Sequence, residues 1–125
     1  MHRTLLTLLI AGVALGGCAK TVEAPSDPGV CYAMAVGDDG KAKFNVVATG
    51  IGDMEHCAAQ LEAVRVRFLR LGSARQELTG AYQGNFLFLQ PEGVFTSTTY
   101  DGMRFPFLTR TGDGRLAMPG AMPQR

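Results

Sequence analysis

Asp53-Met54-Glu55-His56-Cys57-Ala58-Ala59-Gln60-Leu61-Glu62-Ala63-Val64-Arg65-Val66-Arg67-Phe68-Leu69-Arg70-Leu71 is the stretch that decides the fold. Met54, Cys57, Ala58, Leu61, Val64, Phe68 and Leu71 recur at three- and four-residue intervals, which traces one apolar stripe along an α-helix. Asp53 can cap its start, because its carboxylate accepts hydrogen bonds from first-turn amides that have no partner within the helix. Gly72 can end it by entering the left-handed conformation. The spacing predicts a helix over residues 53–71, and a striped helix needs a second apolar layer to cover it.

Sequence on both sides of the helix supplies that layer. Upstream, Val30–Val36 is a strand candidate, Gly37-Asp38-Asp39-Gly40 is a turn, and Lys43–Ala48 alternates, with Phe44, Val46 and Ala48 on one face. Downstream, Glu77–Tyr82 leads through Gln83-Gly84-Asn85 into Phe86-Leu87-Phe88-Leu89, whose apolar residues on both faces mark a central strand. Pro91-Glu92-Gly93 is a turn. Asp101-Gly102 then predicts a two-residue hairpin between Val94–Tyr100 and Met103–Thr109, with Tyr100 opposite Met103, Thr98 opposite Phe105 and Thr96 opposite Phe107. Pro106 cannot donate to a ladder, so this strand is expected at an edge. Thr111–Gly114 is a further turn, and Arg115–Met118 is a candidate short strand. The order is ββ-α-βββ with a candidate further strand. It describes a single small α+β domain over 30–118 with a mostly antiparallel sheet, followed by a tail at 119–125.

The beginning of the chain carries an address. Met1-His2-Arg3-Thr4 is a short positive start, and an apolar run from Leu5 ends in the small residues Gly16 and Gly17. The run is about a dozen residues, against roughly 20 needed to span a bilayer. Leu15-Gly16-Gly17-Cys18 resembles the lipobox of bacterial lipoprotein precursors. The resemblance implies diacylglyceryl transfer to the Cys18 thiol, cleavage that removes a signal peptide of residues 1–17, and acylation of the new amino group. Several acyl chains together would hold the protein at a membrane. Ala19 after the cysteine, by analogy with enteric lipoprotein sorting, directs it to the outer membrane, facing the periplasm. Residues 18–29, rich in proline, glycine and small polar side chains, read as a flexible linker behind the anchor.

Charge and cysteines bound the function further. The chain has 12 Lys and Arg against 11 Asp and Glu. Arg3 leaves with the signal segment, so the mature chain is balanced. That leaves no basic footprint for nucleic acid. Arg65, Arg67, Arg70 and Arg75 cluster, as on a solvated helix face. An exported pair of cysteines most often forms a bridge, so Cys31 is expected to join Cys57 and pin the first strand to the helix. A metal or redox site using the adjacent His56 is the competing reading. It is poorer: His56 and Cys57 point about 100° apart on a helix, a fourth ligand is missing, and there is no C-x-x-C motif. No metal and no cofactor is expected.

Catalytic patterns are equally thin. His56 is the one histidine beyond the signal segment, and no nucleophile-elbow motif supplies a serine for it. Asp38-Asp39 lies in a turn, where aspartate bonds to backbone. Gly50-Ile51-Gly52 fails the dinucleotide pattern because residue 55 is glutamate. A non-enzymatic role is therefore expected. The leading expectation is a protein-interaction or scaffold module of the cell envelope that engages another envelope protein. It would do so through the edge strand with Phe95, Phe105 and Phe107, or through the Arg67 and Arg70 face. The alternative is a lipoprotein that binds a small ligand or envelope component. A cryptic hydrolase ranks below both. Arg65 falls inside the apolar arc and has three readings: an edge residue reaching water, a buried ion pair, or a contact for an anionic ligand.

Overall fold

The computed structural model describes residues 22–119. The chain runs β1 (Cys31–Val36), β2 (Ala42–Ala48), α1 (Met54–Arg70), β3 (Leu78–Tyr82), β4 (Asn85–Gln90), β5 (Gly93–Ser97), β6 (Phe105–Arg110) and β7 (Leu116–Ala117). The strands form one seven-stranded sheet of order β2-β1-β3-β4-β5-β6-β7, with every neighbouring pair antiparallel. This is the α+β fold read from the sequence. Phe86-Leu87-Phe88-Leu89 takes the central place in β4, with all four side chains buried. Among the described residues, no helix is long and apolar enough to cross a membrane.

The ends of α1 follow local chemistry. The Asp53 Oδ1 atom accepts from the His56 amide at 2.8 Å. At the other end Gly72 turns left-handed at φ +89. Its amide donates to the Leu69 carbonyl and that of Ser73 to Phe68, so carbonyls without helical partners are satisfied. The apolar face meets the sheet through Cys57, Ala58 and Leu61, packed with Leu87, Leu89, Val94, Tyr82 and Ala33. Close approach requires Gly80: a Cβ there would sit 2.4 Å from Leu61 Cδ1 and 2.6 Å from the Tyr32 carbonyl oxygen. Cys31 and Cys57 form a disulfide with Cα atoms 5.4 Å apart, joining β1 to α1.

Four details depart from the sequence reading. The helix stripe does not stay buried: Phe68 is 48% and Leu71 77% exposed, while Glu62 is only 5% exposed. The buried face passes through 57, 58, 61 and 62 to Arg65, so the last turn of the helix carries its apolar residues away from the sheet. In β2, a bulge opposite Cys31 and Tyr32 breaks the alternation. Val47 and Ala48 both join the helix-side core, whereas Val46 is 59% exposed on the other face.

The two-residue hairpin at Asp101-Gly102 is also absent. β5 stops at Ser97, β6 starts at Phe105, and the register is Thr96 opposite Phe105, Phe95 opposite Pro106 and Val94 opposite Leu108. The intervening chain folds over the sheet face that α1 leaves bare. Tyr100 meets Phe86 and Phe88 at centroid distances of 5.7 and 6.1 Å, and the Arg104 guanidinium carbon lies 3.7 Å from the Phe88 centroid. Covering two large rings outweighs extending the ladder by a few pairs.

The fourth detail concerns the stretch read as a linker, described from Val22 onward. The Gly84 amide donates to the Pro25 carbonyl, the Gly29 amide to Gln83 Oε1 at 2.8 Å, and the Tyr32 hydroxyl to Asp27 Oδ2 at 2.6 Å. From Pro25 the chain is thus bound to the β3–β4 turn rather than free.

Candidate functional site

One helix is narrower than a seven-stranded sheet. Strands lie about 4.8 Å apart and a helix with side chains is about 10 Å across. α1 packs on β1 to β4, so the sheet extends past the helix on the β6–β7 side. An open groove of about 780 Å³ runs there, between the flank of α1 and the Leu108–Met118 region. Its helix wall carries Glu55, His56, Ala59, Glu62, Ala63, Val66, Arg67 and Arg70, spaced at three to four residues and so on one face. Opposite stand Leu108, Arg115, Leu116, Ala117 and Met118.

Glu62 at the groove floor is shared by two arginines. Arg65 donates through Nε and Nη2 to the two carboxylate oxygens at 3.0 and 2.9 Å. Arg110, from β6, donates through Nε and Nη2 at 2.8 and 3.0 Å. Outer nitrogens are also used: Arg65 Nη1 donates to the Gln76 carbonyl at 2.9 Å, and Arg110 Nη1 donates to the carbonyls of Gln90 and Pro91. Burial raises the Glu62 pKa, but hydrogen bonds from Arg110 and then Arg65, together with their charges, prevail and hold it below the ordinary value. The carboxylate is therefore ionised, and the trio carries one net positive charge.

At the N-terminal end of the groove, His56 Nδ1 lies 2.6 Å from Asp53 Oδ1. Hydrogen bonds from the His56 backbone and then its ring lower the Asp53 pKa. Among the described residues the ring bonds to no hydroxyl or thiol, and no three or more His, Cys, Asp or Glu side chains converge as metal ligands. No ion pair engages Arg67, Arg70 or Arg115 among the described residues.

The sequence-predicted residues fall in different places. Cys18 lies outside the described residues. Cys31 and Cys57 are bridged in the core, away from the groove. Arg67 and Arg70 stand on the groove wall. Arg65 lies beneath them in the ion trio, its side chain 11% exposed. Phe105 is 56% exposed at the β6 edge, while Phe107 packs against the core. Strand β7 pairs only with Thr109 and Arg110, leaving the outer side of 105–108 open.

Sequence reasoning passed over Glu62, Arg110, Arg115, Leu116 and Met118. The signal for Glu62 was its position three residues before Arg65 on a helix. Nothing local links either residue to Arg110, 48 positions away. No protein-family model, no curated protein and no solved structure matches the chain.

Proposed function

We propose that this chain is a membrane-tethered binding protein of the cell envelope, held by lipid on Cys18 at the outer membrane and facing the periplasm. Its groove between α1 and β7 takes a small ligand or envelope component. The attachment rests on the Leu15–Cys18 resemblance. The binding role rests on the groove: about 780 Å³, lined by apolar side chains and by Arg67, Arg70 and Arg115. Ligand sites are concave, mostly apolar and carry a few directing polar groups, with volumes of roughly 300–1,000 Å³.

A groove-blocking variant tests the reading. Ala63 is exposed on the groove wall, so Ala63→Trp should fill the space without disturbing the core. The mature chain with Cys18→Ala is heated with cell-wall fragments, lipids, envelope peptides and small anions. A ligand at a hundredfold its Kd adds about 2.7 kcal/mol, a rise of roughly 10 °C or more in a domain this size. At least one class should stabilise the parent and not Ala63→Trp. No response, or equal responses in both, would reject the groove as the site.

A second reading keeps an envelope protein as partner, docked at the β6 edge. The observation favouring it is the exposed Phe105 beside an edge left open over 105–108. Phe105→Asp should then abolish a crosslinked partner while folding normally; an intact set of partners would discard the edge.

A further inference from the structure

We propose that the groove receives a long-chain fatty acid: a single apolar chain lying between α1 and β7, with its carboxylate held by the groove arginines. This rests on the groove-binding reading above and names the ligand class.

Three observations converge on that chemistry. The first is the separation of polarity. Ala59, Ala63 and Val66 on the helix, with Leu108, Leu116 and Met118 opposite, give the groove an apolar lining that the paired Glu62 carboxylate interrupts at the floor. Arg67 and Arg70 lie in the last turn of α1 and are exposed, as is Arg115, which puts the cations of the helix wall at its C-terminal end. A ligand that matches must be apolar along its length and charged at one end.

The second is the sign of the charge. Three guanidinium groups line the groove without an ion-pair partner among the described residues. The Glu62 carboxylate at the floor is already taken by Arg65 and Arg110, so it does not oppose an anion. Glu55 is the remaining carboxylate of the lining. Three arginines against Glu55 and the already paired Glu62 give the lining a positive formal charge, although the whole chain is nearly neutral at a formal +1. A neutral or cationic amphiphile gains nothing from that charge, whereas the planar guanidinium fork matches a carboxylate.

The third is size. A space of 780 Å³ lies within the range of pockets that take one small molecule. It suits one acyl chain and a small head. A two-chain phospholipid exceeds it. Tethering beside a bilayer would give such a groove ready access to single-chain lipids.

The test uses the full-length protein in washed envelopes, without an acyl donor, so that the probe cannot enter the lipid anchor. The probe is a palmitic acid analogue carrying a diazirine in its chain. After irradiation, labelled peptides are mapped by mass spectrometry. Label is expected on the Ala59–Val66 or Leu116–Met118 segments. Unlabelled palmitate should compete at a concentration at least tenfold lower than neutral monopalmitoylglycerol. Each fully buried methylene contributes up to about fourfold, and half-burial still gives about twofold, so laurate, four methylenes shorter, should compete at least tenfold more weakly than palmitate. R67Q/R70Q changes exposed side chains only and should lower labelling about tenfold, and A63W should abolish it. Equal competition by monopalmitoylglycerol overturns the assignment of an anionic head. Stronger competition by lysophosphatidylglycerol than by palmitate overturns the carboxylate. Label elsewhere, or none, overturns the proposal outright. If that happens while the heating screen finds another ligand blocked by A63W, the groove remains a binding site and only its fatty acid is rejected.

Discussion

Replacing Glu62 by alanine should unfold this domain far more readily than any surface change of equal size. In the native protein its carboxylate neutralises two guanidinium groups whose side chains are only 11% and 21% exposed. Removing it leaves both cations close together in a poorly hydrated space. Breaking a buried pair in this way costs about 3–5 kcal/mol. The lower end applies here, because Arg65 keeps the Gln76 carbonyl and Arg110 keeps those of Gln90 and Pro91. We expect about 3 kcal/mol, read as a drop in the urea midpoint at unchanged m-value with the disulfide intact. Acidity supplies an independent check through Glu62→Gln. The folded pKa of Glu62 lies below its ordinary value. Its stabilisation is therefore fully present above that ordinary value and is lost as pH falls through the folded one. The stability gap between parent and Glu62→Gln should be constant near neutrality and close on acidification. A loss under about 1 kcal/mol for Glu62→Ala, or a gap that persists in acid, would refute the claim that the trio is a structural unit.

Other expectations follow from the same packing. Cys31→Ala with Cys57→Ala opens a link spanning 26 residues; the chain-entropy model gives a loss of about 3.5 kcal/mol, measurable by comparing urea midpoints of the parent and double variant. Gly80→Ala places a methyl group against Leu61 and the Tyr32 backbone, and should lower stability by about 1–3 kcal/mol in the same assay, because helix and sheet must separate. Intact mass of the membrane-extracted protein should show loss of residues 1–17, acyl mass on Cys18, and two thiols that alkylate only after reduction. An unmodified Cys18 would defeat the anchoring proposal.

Legibility in the sequence tracked the range of the forces involved. Capping at Asp53, termination at Gly72 and the apolar run of β4 are local, and each stands where composition and periodicity put it. The Cys31–Cys57 bridge was readable because an apolar helix stripe and a strand face each carried one cysteine. Long-range competition was not readable. Asp101-Gly102 has the composition of a tight hairpin, yet Phe86 and Phe88 take Tyr100 and Arg104 as cover, which the hairpin would have carried away. Glu62 drew no reading from the sequence because its second partner, Arg110, is 48 positions away. The groove was invisible for a related reason: it is made by the mismatch between one helix and seven strands, not by any motif.

That mismatch also explains why an ionic trio stands where an apolar cluster would ordinarily serve. The helix covers β1 to β4, and β6 lies beyond its edge. Leu108 alone of the β6 residues is fully within the core, so apolar contact between α1 and β6 is slight. Arginine is long enough to bridge the remaining gap, and its fork can bind Glu62 while its outer nitrogen reaches the β4–β5 turn at Gln90 and Pro91. Arg110 therefore ties three pieces, α1, β6 and the preceding turn, without filling the space between them. A leucine cluster at the same place would close the groove. The ion trio joins its two walls and leaves one net positive charge at the floor, so the feature that stabilises this end of the sheet also supplies charge on which the proposed anion contact would draw.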